Sequence, residues 1–232
     1  MPGPVNGMIR AANALHYWER RQEIVANNLA NAETTGFKAE RVFARLVGDS
    51  ITVADSATDL TTGTIRETGA PLDLALSNGG FFVIETPNGE RLTRGGSFTL
   101  DADGTVVDSD GNPLLGENGP IVAPTGTIVI DRGGAVKVNG AEVDRLRVET
   151  VPLNVRLQHD AGTTFLPDPA RASQAAADRE VRQGALEESN VGTIDSMVDL
   201  ISIQRAFGAV QRAVTTIDGI RDTISNELGK PV

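Results

Sequence analysis

Two aspartate-rich segments of this 232-residue sequence have residue types that could bind a calcium ion. They are Asp101-Ala102-Asp103-Gly104 and Asp108-Ser109-Asp110-Gly111, and each places carboxylates at alternating positions. A calcium-binding EF-hand loop also needs glycine at its sixth position and a bidentate glutamate at its twelfth. Counted from Asp101, those positions hold Val106 and Asn112. The pattern therefore favours hairpin turns, in which aspartate bonds its own backbone, over a metal site.

A second possible chemistry is that of a serine hydrolase, because Gly48-Asp49-Ser50 resembles the first sequence block of one esterase class. A nucleophilic serine needs a histidine base that an acid orients. Of the two histidines, His16 falls on a predicted helix and His159 has no acid among the residues just before it. No glycine-rich segment leads into the Lys-Ser/Thr pair of a phosphate-binding loop. We expect no catalytic residue, no cofactor and no metal ion, and a secreted β-domain hydrolase stays a less favoured alternative.

The composition argues against several other classes. The chain has no cysteine, which excludes disulfides and thiolate catalysis. Its first 25 residues contain no apolar run long enough for a secretory signal or a membrane span, so we expect neither, and no membrane insertion. The net charge of −10 is concentrated in residues 48–193, which carry −11. Such an acidic middle repels phosphate backbones, and nucleic acid is not expected as a partner.

The two ends of the chain have the spacing of amphipathic helices. From Ile194 to Leu228, apolar side chains recur every three or four residues without an intervening proline. Met8 to Ala32 repeats this pattern with smaller side chains. The length of the C-terminal segment is typical of a coiled coil or a bundle, because a helix of that length needs a long partner surface. A free-standing coiled-coil adaptor is therefore another alternative.

The middle of the chain is predicted to be β. It holds 19 of the 25 glycines and 8 of the 11 prolines. A continuous run at residues 80–85, apolar from Phe81 to Ile84, precedes Pro87-Asn88-Gly89, a strong hairpin signal, and short strands are expected at 127–130, 136–138 and 146–151. The predicted fold class is α+β, with N- and C-terminal helices that pair as a coiled coil or bundle and a central antiparallel β-rich domain.

Domain boundaries follow from the same division. Residues 1–35 and 190–232 are expected to form the helical domain. Residues 36–69, which are rich in Thr, Asp, Ser and Gly towards their end, are expected to form an extended linker. Residues 70–189 are expected to form the β-rich domain.

The segment ANNLANAETTGFK at residues 26–38 is unusual for the end of a helix, because asparagine competes for nearby backbone groups. Small alanines allow a neighbouring backbone to come close. Neutral amides can form hydrogen bonds across a contact without the desolvation cost of a charge. The segment is therefore predicted to be an interface surface, with Phe37 anchoring the exit towards the β domain.

Three segments of this sequence resemble the bacterial flagellar rod and hook axial proteins, in matching order and spacing. The first is ANNLANAETTGFK. The second, at residues 79–116, is GGFFVIETPNGERLTRGGSFTLDADGTVVDSDGNPLLG. The third, at residues 184–214, is GALEESNVGTIDSMVDLISIQRAFGAVQRAV. Details at residues 71–76 and 116–121 look most like the proximal-rod type, and the distal-rod type is the runner-up.

This resemblance implies a non-enzymatic building block that is exported unfolded by the flagellar type III apparatus. The exported chains polymerise into the basal-body rod, which crosses the periplasm. Family members pair their terminal helices into an inner tube and carry the β domain outside it. The implied partners are copies of the chain itself, other flagellar rod and hook axial proteins, and the export apparatus.

The expected assembly interface combines this resemblance with the apolar spacing of the two ends. Its predicted N-terminal members are Leu15, Trp18, Val25, Asn27, Asn28, Leu29, Asn31 and Phe37. Its predicted C-terminal members are Ile194, Met197, Leu200, Ile203, Gln204, Phe207, Val210, Val214 and Ile217.

Overall fold

A computed structural model of the chain describes residues 4–47, 50–152 and 155–228. Gly48 and Asp49, which begin the esterase-like block, lie outside these residues.

The described chain forms two compact units. The helical unit consists of the residues up to Ala30, Glu40–Ala57 and the residues from Gly192 onward. The β unit consists of Asn31–Ala39 and Thr58–Val191. Residues 36–69, for which the composition predicts an extended linker, are divided between the two units and contain three strands.

Two long helices form most of the helical unit. Helix α1 spans Pro4–Ala30 and helix α2 spans Thr193–Leu228, which confirms a helix at each end. The helices contact each other, and Ile24 of α1 and Ile203 of α2 are almost fully buried. Within the described residues, no helix combines the length and apolar character that crossing a membrane requires.

A two-stranded sheet accompanies the helices. Its strands are β1 (Glu40–Val47) and β2 (Ser50–Thr58), and β1 contacts α1. Val42 and Phe43, a β-branched and an aromatic residue, give this segment strand character that its Thr/Asp/Ser-rich composition concealed.

Helix α1 ends earlier than the sequence suggested, at Ala30. The Thr34 N–H donates to the Asn31 carbonyl oxygen at 3.1 Å, and the Thr34 hydroxyl donates to Asn31 Oδ1 at 3.2 Å. Asn31 therefore begins a turn, as asparagine does when its side chain bonds the nearby chain. The last residues of ANNLANA belong to this turn.

The described part of the β unit contains fourteen short strands. They are β3 (Ile65–Glu67), β4 (Leu74–Leu76), β5 (Phe81–Thr86), β6 (Gly89–Thr93), β7 (Thr99–Leu100), β8 (Val106–Val107), β9 (Ile128–Ile130), β10 (Ala135–Val138), β11 (Ala141–Arg145), β12 (Val148–Thr150), β13 (Thr164–Phe165), β14 (Ala172–Ser173), β15 (Val181–Gln183) and β16 (Ala185–Glu187). A 3-10 turn at Ala176–Asp178 precedes β15.

Antiparallel pairing connects these strands, as predicted. The largest sheet has the order β13-β6-β5-β12-β14, and a three-stranded sheet has the order β11-β10-β9. The pairs β15-β4, β16-β3 and β7-β8 complete the unit. The predicted hairpin joins β5 to β6, where Thr86 pairs with Gly89.

The core lies on both faces of β5. Phe82 and Ile84 belong to the larger apolar cluster, and Phe81 and Val83 belong to a second one. Successive strand residues point to opposite faces. The continuous apolar run of the sequence therefore reflects a strand that is buried on both sides.

Candidate assembly surface and buried ion cluster

The predicted interface residues of α1 differ in their exposure. Four are partly buried: Leu15, Trp18, Val25 and Leu29. Asn27 is exposed and Asn28 is buried. Ile24, which the three-and-four spacing did not single out, is the most deeply buried apolar side chain among those of α1 whose burial the structure describes, at 3% exposure. In the β unit, Asn31 is partly buried and Phe37 is buried.

The predicted stripe of α2 winds around the helix. Ile203 is buried, and the partly buried residues are Leu200, Phe207, Val210 and Val214. The exposed ones are Ile194, Met197, Gln204 and Ile217. Because nine residues correspond to about 2.5 helical turns, Ile194 and Ile203 lie on opposite sides of α2. The stripe, which the spacing predicts as one surface, therefore begins on one side of α2 and continues on the other.

An apolar surface lies on the first two turns of α2, opposite Ile203. We call it the exposed α2 face. Its members are Ile194 (77% exposed), Met197 (49%), Val198 (60%) and Ile201 (52%). Met197, Val198 and Ile201 follow Ile194 by three, four and seven residues, which puts all four on one side of a helix. Val198 and Ile201 were missing from the sequence prediction, although this spacing from Ile194 could have identified them.

A buried ion cluster lies in the β unit and consists of Lys38, Arg94 and Glu187. Their exposures are 0%, 3% and 1%. Lys38 Nζ donates to Glu187 Oε1 and, at 2.7 Å, to the carbonyl oxygen of Thr61. Arg94 Nη1 donates to Glu187 Oε2 at 2.9 Å. One carboxylate therefore neutralises one of two buried cations, and the cluster keeps a net charge of about +1.

Backbone groups complete the environment of this cluster. Arg94 donates to the carbonyl oxygens of Leu76 at 3.2 Å and Asn78 at 2.9 Å, and its guanidinium lies 5.4 Å from the ring centre of Phe81. The Gly63 N–H donates to Glu187 Oε1 at 2.9 Å. Carbonyl oxygens and an aromatic face both stabilise a cation. These dipoles, together with the charge of Asp59, therefore stabilise the surplus charge.

Burial lowers the pKa of Lys38 below its ordinary value, and the bond and charge of Glu187 oppose this shift. Burial likewise lowers the pKa of Arg94 against the same carboxylate. Desolvation is the largest effect for both cations. Lys38 has the lower ordinary pKa of the two, so it is the group that can lose its proton.

The cluster brings together the three sequence segments that carry the family resemblance. Lys38 comes from the first segment, Arg94 from the second and Glu187 from the third. The Gly36 N–H also donates to the Glu187 carbonyl oxygen at 2.7 Å. Gly36 has φ +74°, and a Cβ there would lie 2.3 Å from the Arg94 carbonyl group, so only glycine fits. Sequence reasoning identified the segments but not their contact, because charged residues are ordinarily assigned to the surface.

Phe37 packs beside the cluster against the second histidine. The Phe37 and His159 rings meet edge to face with centres 5.9 Å apart, and His159 and Phe165 do the same at 5.1 Å. Aromatic pairs in this arrangement stabilise a core beyond the area they bury. His159 therefore has a packing role, while His16 is an exposed residue of α1 beside Glu19.

A second ion network is neutral and joins Glu90, Arg147, Glu149 and Arg171. Arg147 bonds Glu90 through two nitrogens, at 2.8 and 3.2 Å, and bonds Glu149 at 2.8 Å. Arg171 Nη2 donates to Glu90 at 2.6 Å, and Arg171 Nε lies 2.8 Å from Glu149. The hydrogen bond from Arg147 is the largest of the effects that hold the pKa of Glu90 below its ordinary value.

This network predicts a loss of stability in acid. Because the pKa of Glu90 is lower in the folded chain, the unfolded chain binds more protons as the pH falls. The stabilisation is complete above the ordinary glutamate pKa of about 4.3 and is lost as the pH falls through the folded value. Glu90→Gln should therefore flatten the acid side of a plot of melting temperature against pH. Asp103→Asn, at an exposed carboxylate, is the control and should leave the acid limb unchanged.

The aspartate-rich segments are turns, as predicted. Asp101 Oδ1 accepts from the N–H groups of Asp103 at 2.9 Å and Thr105 at 2.7 Å. Asp108 Oδ1 accepts from Asp110 at 2.9 Å and from Asn112 at 2.8 Å. These carboxylates bond their own backbone. Among the described residues, no group of three His, Asp or Glu side chains is arranged to hold a metal ion.

Three protein-family models match separate parts of the chain. Residues 5–38 match "Flagella basal body rod protein", and residues 75–139 match "Flagellar hook protein FlgE/F/G D1 domain". Residues 182–227 match "Flagellar basal body rod FlgEFG protein C-terminal". The two flanking matches include both helices, and the central one lies in the β unit.

Curated relatives match the chain over most of its length. The flagellar basal-body rod protein FlgF of Rhizobium meliloti is 31% identical, over 96% of this chain and 98% of its own. FlgF of Caulobacter vibrioides is 32% identical, over 91% and 93%. The rod protein FlgG of Bacillus subtilis is 28% identical, over 90% and 94%. The likeness is greater to these FlgF proteins than to this FlgG protein.

Proposed function

The chain belongs to the flagellar basal-body rod protein family, and from this premise we propose how its surfaces build the rod. It is a structural subunit of the bacterial flagellar basal-body rod and not an enzyme. Neither the comparisons nor the contacts of His16 and His159 support the hydrolase alternative.

In this proposal α1 and α2 pair as a coiled coil, and the exposed α2 face contacts a neighbouring subunit. The observation that carries the proposal is the clustering of four exposed apolar side chains on the side of α2 opposite Ile203. Apolar patches of this kind on a soluble chain mark contact sites. Leu200, Ile203, Phe207, Val210 and Val214 then stabilise the helix pair within a subunit.

Five further predicted interface residues are assigned by their exposure. Asn27, Gln204 and Ile217 are exposed and are proposed to contact neighbours. Asn28 and Phe37 are buried within their own units, and we assign them to the fold of the subunit instead.

Copies of the chain and other flagellar axial proteins are the proposed neighbours. The match of residues 75–139 to a domain model shared by hook and rod proteins supports a common scaffold among them. Export of the unfolded chain by the flagellar type III apparatus, and a place in the proximal part of the rod as an FlgF-type subunit, complete the proposal.

Purified basal bodies test this function directly. A strain that lacks the gene should not swim, and an epitope-tagged copy should restore swimming and co-purify with intact basal bodies. Recovery of the tagged protein in the cytoplasmic fraction, together with normal swimming of the deletion strain, would contradict the proposal. That outcome would instead fit a free-standing coiled-coil adaptor.

A further inference from the structure

The peptide bond between Ala39 and Glu40 is where the chain passes from the β unit into the helical unit, at the start of β1. Each of the two residues is bonded by an asparagine side chain of its own unit. One belongs to the last turn of α1 and the other to the segment just before α2.

Asn28 holds Glu40 within the helical unit. Its Oδ1 accepts from the Glu40 N–H at 3.0 Å, and its Nδ2 donates to the Glu40 carbonyl oxygen at 2.8 Å. The side chain is 7% exposed. A carboxamide carries one carbonyl oxygen and an N–H donor, as a peptide group does, so Asn28 takes the place of a neighbouring strand residue.

Asn190 holds Ala39 within the β unit. Its Oδ1 accepts from the Ala39 N–H at 2.8 Å. Its Nδ2 donates to the carbonyl oxygens of Asp59 at 2.8 Å and Thr61 at 3.1 Å. The Asp59 N–H in turn donates to the Ala39 carbonyl oxygen at 2.7 Å. The N–H and carbonyl groups of both Ala39 and Glu40 are therefore all hydrogen-bonded.

We propose that Asn28 and Asn190 are positioning residues that fix the register in which β1 begins. Slippage by one residue would turn every side chain of β1 to the opposite face of its sheet. Two carboxamides that bond consecutive residues oppose this slip, because neither can keep its bonds after it. The inference goes beyond the proposed assembly and gives the asparagines of ANNLANA a role inside one subunit.

Related side chains cannot replace the carboxamide. Aspartate keeps the acceptor but loses the donor, and it adds a charge at a buried position. Alanine loses both groups and leaves Glu40 with two unpaired backbone atoms. Asn27, which is adjacent to Asn28 and exposed, provides a matched control for helix propensity at nearly the same position.

Residue-resolved hydrogen exchange on the full chain tests the proposal. In Asn28→Ala the Glu40 amide should exchange about tenfold faster, and in Asn190→Ala the Ala39 amide should do so, while neighbouring α1 amides change little. Asn28→Asp should preserve more of the Glu40 protection than Asn28→Ala. Asn27→Ala should leave both amides unchanged.

Three results would overturn the proposal. The first is a Glu40 amide that already exchanges at the rate of an unstructured peptide in the parent chain. The second is faster exchange spread evenly over α1 in Asn28→Ala, which would indicate a general loss of helix stability. The third is an equal effect of Asn27→Ala. None of these results would affect the assignment to the rod.

Discussion

Glu187→Gln should destabilise the β unit by about 3–5 kcal/mol, the cost of leaving a buried charge without its partner. Glu187 accepts hydrogen bonds from both buried cations and from the Gly63 N–H. The glutamine would leave Lys38 and Arg94 buried as neighbouring like charges. Since a domain is stable by about 5–15 kcal/mol, this loss is a large part of the total.

Lys38→Met provides the matched comparison. It removes the surplus cation and leaves Glu187 paired with Arg94 at 2.9 Å. A neutral, hydrogen-bonded pair of this kind stays satisfied, and methionine fills a similar volume. We therefore expect a cost of about 1–2 kcal/mol from the lost bonds.

Urea unfolding followed by far-UV circular dichroism measures the destabilisation by both substitutions. Circular dichroism is used instead of tryptophan fluorescence because the single tryptophan, Trp18, is in α1 and does not report on the β unit. Equal destabilisation by the two substitutions would refute the account of a surplus buried charge.

Alkaline pH offers an independent check on Lys38. Since burial lowers its pKa in the folded chain, the unfolded chain binds more protons in the interval up to the ordinary lysine value of about 10.4. Stability should rise with pH in that interval as the buried amine loses its charge. Lys38→Met should abolish the rise. A parent chain whose stability falls throughout this interval would contradict the direction of the shift.

The helical ends and the β5–β6 hairpin could be predicted from sequence because their signals are local. Helical spacing and a Pro-Asn-Gly turn depend on a few neighbouring residues. The predictions were weaker for segments whose structure depends on contacts with residues far away in the sequence. β16 pairs with β3 across about half of the chain, and β1 and β2 occupy a region whose composition suggested a linker. Such pairings depend on the whole fold, so a short stretch of sequence is not enough to predict them.

The buried ion cluster illustrates the same limit for the site. Lys38, Arg94 and Glu187 each lie in a recognisable segment, yet each residue type is normally solvent-exposed. Only the convergence of the three segments makes burial possible. The exposed α2 face is a different case. The spacing of its residues was visible in the sequence. However, the prediction grouped Ile194 and Ile203 into one continuous stripe, although they lie on opposite sides of the helix.

Val198→Asp should stop rod assembly while the subunit still folds. Val198 is 60% exposed at the centre of the exposed α2 face, so a charge there costs the isolated subunit little. In an assembled rod the same charge would be buried without a partner. The strain that carries this variant as its only copy should not swim, although the protein is made at the parent level.

The size of this effect depends on the contact that is lost. Burying a valine side chain contributes about 1.5–3 kcal/mol, and an unpaired buried charge costs more. A loss of about 3 kcal/mol at each subunit contact raises the concentration needed for polymerisation by about 100-fold. Because every subunit of the rod carries the substitution, every contact of this kind is weakened.

Two further variants separate assembly from folding. Gln211→Asp adds the same charge at an exposed polar position of α2 and should still allow swimming. Ile203→Asp puts the charge at a position that is 1% exposed on the side opposite Val198, and should lower the thermal stability of the free subunit as well as abolish assembly. Thermal unfolding of Val198→Asp should match that of the parent chain. Normal swimming of the Val198→Asp strain would exclude the exposed α2 face as a contact between subunits.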